Sequence, residues 1–221
     1  EAVVHEGLDG ICLAKCGDAE NVQRLDWKLD ELERRRGLKP GGIAVQLLIE
    51  TARGLLNAYA SASTSKRVNS LIFGALDYVR DMRVKMTPEA KEQLYAHFHI
   101  AVVARATGCI AIDAPFVDFK NAEAFEKSTR ESKQMGYEGR LLIHPSQIEP
   151  ANRIFMPSPE DAAWARGLVK FFEEEALAKG IAAISYQGKM VDIPVYDNAR
   201  HILDTMKQID EVLEMRTGKP R

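Results

Sequence analysis

Charged side chains recur at the ends of short apolar runs in this sequence. The run LIFG, residues 71–74, stops at Gly74, and Asp77 follows three positions later. GIAVQLLIE ends at Glu50, GICLAK at Lys15, GCIAID at Asp113 and GRLLIH at His144. Glu50 and Asp77 form the strongest pair. Each follows an apolar strand, on neighbouring units, so the two carboxylates can meet. Two carboxylates converging with no lysine or arginine between them repel. A hard divalent cation resolves this, and Mg²⁺ is often held by one or two carboxylates plus substrate oxygens and water. Glu50 is equally placed to cap the helix that follows it. Gly74 lets backbone approach a ligand closely. The amides of Ala75, Leu76 and Asp77 would then face an anion, while a plain turn is the competing reading. Lys15 either carries positive charge toward an anionic substrate or is a solvated strand end. Asp113 either binds or holds the loop after it. His144, ahead of Pro145, is read as structural in the first place, with base and ligand as further roles. His97 and His99 lie two apart on a helix and face different directions. Cys12 and Cys16 read as small core residues rather than zinc ligands, since no second Cys or His pair lies at zinc spacing.

Strand–helix alternation must position these groups. The apolar runs are short and rich in branched residues, as expected of strands buried on both faces. The runs end at 15, 50, 74, 113 and 144, a spacing that suits strand–helix units of roughly 30 residues or more. Asp18 to Gly37 carries Val22, Leu25, Leu29 and Leu32 on one helical stripe, with Gly37 as C-cap. Further helices are expected over 51–64, from Thr87-Pro88-Glu89 to Gly108, and from Asn121 to Gly136. Such alternation gives parallel strands with right-handed crossovers. A glycine-rich G-x-G-x-x-G fingerprint is absent, which disfavours a dinucleotide fold. Polar residues at strand C-termini converge on one mouth in a (β/α)8 TIM barrel. The expected fold is therefore α/β, a barrel over residues 1–157 with about three strands missing before residue 1. Residues 158–221 break the period and read as a C-terminal helical lid. Ser158, Pro159 and Asp161 open its first helix as a capping box. QGKMVDIP forms a turn and short extended segment carrying Asp192, and a last helix runs from about Tyr196 to Met215.

Bulk properties exclude several classes. The 221 residues are 46% apolar and 28% charged, with a formal net charge of −2. No clustered basic face for nucleic acid is present. Arg34, Arg35 and Arg36 close a helix, where cations suit its dipole. No run approaches the length of a membrane span, and the first residues lack a signal-peptide pattern. Three cysteines fit a reducing compartment, hence a cytoplasmic protein, or a mitochondrial one in a eukaryote.

LIET (48–51), FGALDY (73–78), AIDAPFVDFKN (111–121), GRLLIHPSQI (139–148) and GKMVDIP (188–194) occur in that order. Together they resemble the citrate lyase beta-subunit-like branch of the HpcH/HpaI aldolase superfamily, which includes malyl-CoA, methylmalyl-CoA and citramalyl-CoA lyases. The resemblance covers nearly the whole chain. It implies a barrel with a C-terminal lid, assembled as a homotrimer or hexamer. It also implies a Mg²⁺-dependent lyase, with Mn²⁺ as a substitute ion, that joins or splits a CoA thioester and a small 2-keto acid. By that resemblance Glu50 and Asp77 match the metal ligands. Gly74, Ala75 and Leu76 match the segment holding the acid's carboxylate, and Lys15 matches a strand-end lysine near the substrate. Asp192 matches the lid aspartate that reaches a neighbouring subunit's site as acid–base group. The family's early acidic motif and substrate-binding arginine have no counterpart in this sequence, and Ala14 stands where a proline is usual. Other readings are a citrate lyase beta subunit acting on a citryl carrier-protein thioester, and a non-catalytic binding module. Short-lid aldolases acting on keto-deoxy sugar acids lack the segment after residue 157.

Overall fold

The computed structural model describes residues 2–217. The chain divides into two compact units, Glu1–Phe155 and Met156–Arg221. In the first, strands β1 (Gly10–Leu13), β2 (Ala44–Ile49), β3 (Val68–Phe73), β4 (Ile110–Asp113) and β5 (Gly139–Arg140) form one sheet. They lie in chain order, and every neighbouring pair is parallel. This is the arrangement of successive units of a (β/α)8 barrel.

The two faces of the sheet differ. Val45, Leu47 and Ile49 of β2 are buried, and Leu47 and Ile49 pair in register with Leu71 and Phe73 of β3, which are buried too. Each large apolar side chain so buried contributes about 1.5–3 kcal/mol. The alternate row is less covered: Gln46 and Leu48 are half-buried and Ile110 is 45% exposed. Burial on both faces, expected from the apolar runs, therefore holds for β3, where Ser70 and Ile72 are buried as well as Leu71 and Phe73, but for one face only of β2. In a closed barrel that second row points at the barrel axis.

Helix α1 (Ala19–Arg36) forms as its sequence dictates. The Asp18 carboxylate accepts from the Asn21 amide at 3.1 Å, and Gly37 ends the helix in the left-handed region at φ 65°. The helix expected over 51–64 is two, α2 (Ala52–Leu56) and α3 (Ala58–Ser63). Asn57 breaks it, because its side-chain amide donates to the Gly17 carbonyl at 2.9 Å. A short helix, α4 (Ala75–Asp81), follows β3 directly.

The helix expected from Thr87 starts later, as α5 (Leu94–Thr107) behind a 3₁₀ turn at 91–93. The Thr87 hydroxyl and amide both bind Glu92, at 2.7 and 3.2 Å. That closes a loop where a first helical turn was expected. Gly108 caps α5 as expected, at φ 71°. Asn121 caps α6 (Ala122–Gln134) through the Ala124 amide at 3.1 Å, and α7 (Ile148–Phe155) ends the unit.

The second unit holds α8 (Pro159–Glu175), β6 (Ala183–Tyr186), β7 (Lys189–Asp192) and α9 (Ile193–Thr217). Ser158 and Asp161 form the expected capping box. QGKMVDIP is more regular than expected. It supplies the turn and second strand of an antiparallel hairpin, with Gln187 and Gly188 at φ 50° and 76°, the two left-handed positions that a tight two-residue turn requires. Leu168, Phe172, Val191, Tyr196 and Ala199 form this unit's own core. Helix α9 begins at Ile193, ahead of the expected Tyr196.

Candidate functional site

The site is built where β1, β2 and β3 end. Past β1 the chain turns at Lys15, a non-glycine residue at φ 51°. That turn aims the Lys15 amide at Glu50, whose Oε1 accepts it at 2.8 Å. Glu50 follows β2 and is only 5% exposed. It does not cap α2; Thr51 does, accepting from the Gly54 amide at 3.0 Å. Gly74 continues β3, and its amide donates to the Ile49 carbonyl at 2.9 Å. A Cβ at Gly74 would lie 2.4 Å from the Glu50 Cβ and 2.9 Å from its Oε2. Glycine is therefore required by close approach to Glu50, not by backbone conformation.

Asp77 sits in the first turn of α4. Its Oδ1 receives the Lys15 ammonium at 3.1 Å, with the Arg80 guanidinium at 3.6 Å. Ala75, Leu76 and Asp77 form that first turn, whose amides have no partner within the helix. Lys15 thus touches Glu50 through its main chain and Asp77 through its side chain. Contrary to the expectation from sequence, a lysine and an arginine accompany the two carboxylates. The Cys12 thiol is pushed up by burial and then by the Glu50 charge.

Among the described residues no group of three or more His, Cys, Asp or Glu side chains could hold a metal ion. Glu50 and Asp77 offer carboxylate oxygens only, a donor set suited to a hard cation that keeps water and substrate oxygens in its remaining positions.

The other strand-end candidates do different work. Asp113 is fully buried on the Ala111 side of β4. It accepts from Arg140 at 2.8 Å, from Ser132, and from the Ala114 amide at 2.7 Å, and it pairs with His97 at 3.0 Å. Burial alone would raise its carboxyl, but the His97 hydrogen bond and the Arg140 charge outweigh this and hold it low. It holds the following loop. His144 caps the turn after it, accepting from the Ser146 amide at 3.2 Å, and its ring stacks on Phe119. Asp192 is the last residue of β7, in the second unit. It is half-buried, and its Oδ1 accepts from the Val195 amide at 3.3 Å, capping the start of α9.

A buried arginine–glutamate pair, edged by two more exposed aspartates, escaped sequence reasoning. Arg67 binds both oxygens of Glu33, at 2.7 and 2.6 Å, and also Asp26 at 2.7 Å and Asp30 at 2.5 Å. Its one signal was a glutamate four positions after Leu29, in the buried stripe of α1.

Parallel strands in chain order, each followed by helix, with charged groups at their C-terminal ends, define a barrel of the (β/α)8 class. Residues 1–145 match the HpcH/HpaI aldolase/citrate lyase family. The chain belongs to that family, in its citrate lyase beta-like branch of carbon–carbon lyases. It is 34% identical to the citrate lyase subunit beta of Haemophilus influenzae over 93% of this chain and 70% of that protein. It is 31% identical to the human mitochondrial citramalyl-CoA lyase, over 87% of this chain and 59% of the relative. Among solved structures, Mycobacterium tuberculosis CitE in complex with magnesium, acetoacetate and coenzyme A matches at TM-score 0.69 and 26% identity. That match covers 89% of this chain and 67% of the other. Among the described residues no helix is long and apolar enough to cross a membrane.

Proposed function

We propose that the protein is a Mg²⁺-dependent lyase that cleaves, or forms, a hydroxyacyl-CoA thioester such as malyl-CoA or citramalyl-CoA, whose hydroxyl lies on carbon 2 of the acid and β to the thioester carbonyl. The products of cleavage are an acyl-CoA and a 2-keto acid. The observation that carries this reading is the buried Glu50 carboxylate, held by the Lys15 amide and backed by Gly74, with Asp77 on the adjoining unit tied to the same lysine. Glu50 and Asp77 would hold the ion. Bound there, it would supply Lewis-acid polarisation of the acid's 2-oxygen. The bare backbone at Gly74 and the amides of Ala75 and Leu76 receive the acid's carboxylate, and Lys15 adds positive charge to that approach.

Asp192, contributed by a neighbouring subunit of a homotrimer or hexamer, is the acid–base group at the acyl-CoA α-carbon. In condensation it removes a proton from that carbon, the resulting enolate attacks the keto carbon, and the alkoxide so formed takes a proton from solvent. In cleavage the hydroxyl gives its proton to solvent and becomes the keto oxygen as the bond between those two carbons breaks, and Asp192 delivers a proton to the enolate.

A second reading is supported by the 34% identity to a citrate lyase beta subunit: the thioester is then carried by an acyl carrier protein. Incubation with Mg²⁺ and a panel of acyl-CoA and keto-acid pairs, read by mass spectrometry, tests the proposal. A condensed or cleaved CoA thioester supports it. Turnover confined to citryl carrier protein selects the second reading, and no turnover with either favours a binding module.

A further inference from the structure

We propose that Lys15 is a displaceable counter-cation. Its ammonium holds Asp77 while that carboxylate lacks a divalent cation, and is released into the mouth of the site when a metal ion takes Asp77. This rests on the metal reading above.

Three observations carry it. Lys15 is one of four non-glycine residues at positive φ among those described, a conformation uncommon outside glycine. The unusual turn lets one residue reach both carboxylates with two independent groups, a neutral amide at Glu50 and a charged ammonium at Asp77. The amide contact needs no charge and survives metal binding. The ammonium contact does not: it is a cation on Oδ1, the same oxygen that Arg80 approaches. A divalent cation on that carboxylate repels the ammonium and draws off the charge that holds it, where the more distant Arg80 does not.

The contact is also weak enough to give way. The two side chains are 58% and 37% exposed, and exposed ion pairs contribute little to stability. Lysine suits the task, being a compact charge on a flexible stem. Once released, while its backbone stays pinned to Glu50, the ammonium remains within a side chain's length of the ion and meets the carboxylate of the incoming acid. One residue thus balances the site's charge in both states.

The test reads the Lys15 amine directly. Acylation of Lys15 by a soluble amine-reactive ester, followed by peptide mass spectrometry, is compared with and without Mg²⁺, while calorimetry records Mg²⁺ binding. Labelling is expected to rise several-fold with Mg²⁺ and to fall again when oxaloacetate is added. Asp77→Asn should label strongly without Mg²⁺ and respond little to it. Lys15→Met should bind Mg²⁺ about two- to five-fold tighter than the parent, the range released by losing an exposed ion pair, and Arg80→Met should tighten it less. Unchanged labelling in a protein that calorimetry shows to bind Mg²⁺ overturns the displacement and leaves the metal site standing. Equal tightening by Lys15→Met and Arg80→Met reduces the effect to general charge and also overturns it. Absence of Mg²⁺ binding removes the metal reading and this proposal together.

Discussion

Gly74→Ala should damage the site through one contact. The added Cβ would lie 2.4 Å from the Glu50 Cβ and 3.4 Å from its Cα. Carbon atoms settle about 3.5–4.0 Å apart, so β2 and β3 must part by about 1 Å or Glu50 must leave its place. Gly74 has φ −101°, which alanine tolerates, so the cost is steric. Overpacking of this kind costs about 1–3 kcal/mol. Parting the strands also strains the 2.9 Å bond from the Gly74 amide to Ile49, worth about 1 kcal/mol. The expected loss is about 2–3 kcal/mol, read by urea unfolding followed by circular dichroism. The control is the same change in a Glu50→Gly background, where the opposing Cβ is gone. There the added cost should fall below about 1 kcal/mol, since contacting residues couple in double-mutant cycles. A cost that is the same in both backgrounds, or a Gly74→Ala protein as stable as the parent, would refute the close-approach argument.

The Glu33–Arg67 pair should make stability depend on acid. The Arg67 hydrogen bonds, opposed by burial, hold the Glu33 carboxyl at about 2, against an ordinary 4.5. The folded value is the lower one, so the stabilisation is fully present above pH 4.5 and lost as pH falls toward 2. It amounts to about 3 kcal/mol. Urea midpoints measured across that window should fall for the parent more steeply than for Glu33→Gln, which itself should lose about 1.5–3 kcal/mol at neutral pH, the worth of a hydrogen bond to a charged group, because Asp26 and Asp30 still pair with Arg67. Asp192→Asn should leave α9 capped, since asparagine caps as well as aspartate. It should also retain Mg²⁺ binding and suppress turnover; full activity would remove Asp192 from the chemistry. Glu50→Ala should weaken Mg²⁺ binding in calorimetry with a keto acid present. Mixed Asp192→Asn and Glu50→Ala subunits should recover activity if sites are shared between chains, and no recovery would count against a trans-acting Asp192.

Most of the sheet was legible because parallel strands write their burial as short apolar runs, and four of the five runs became strands over most of their apolar residues; the fifth, GRLLIH, is a strand only at Gly139–Arg140, with Leu141 and Ile143 exposed and His144 four residues past its end. Helices with local end signals were legible too: Asp18 and Gly37 at α1, Asn121 at α6, Ser158 at α8. What failed was local grammar overruled at a distance. Asn57 broke a helix to bond Gly17, 40 residues away. Thr87 spent its capping groups on the Glu92 side chain. At the site, the positions of Glu50, Gly74 and Asp77 at neighbouring strand ends were readable from spacing. The role of the Lys15 amide was not, because a backbone donor leaves no residue-type signature. Asp113 looked functional on position alone. Its row on the strand, two residues past the buried Ala111, turns it to the helix-covered side, toward Arg140 and His97.

The strand order carries a consequence for how the chain acquires its shape. Each strand of the sheet pairs with the strand that follows it in sequence. Among the described strands of this sheet none needs a partner beyond the next in sequence, so loop-closure costs stay small at each of these steps. The sheet can therefore be laid down in the order of synthesis, one crossover at a time. The Lys15–Glu50–Asp77 constellation is complete once the ribosome has released β1, β2, β3 and α4. Nascent chains stopped after α4 should already shield the Lys15 amide from hydrogen exchange.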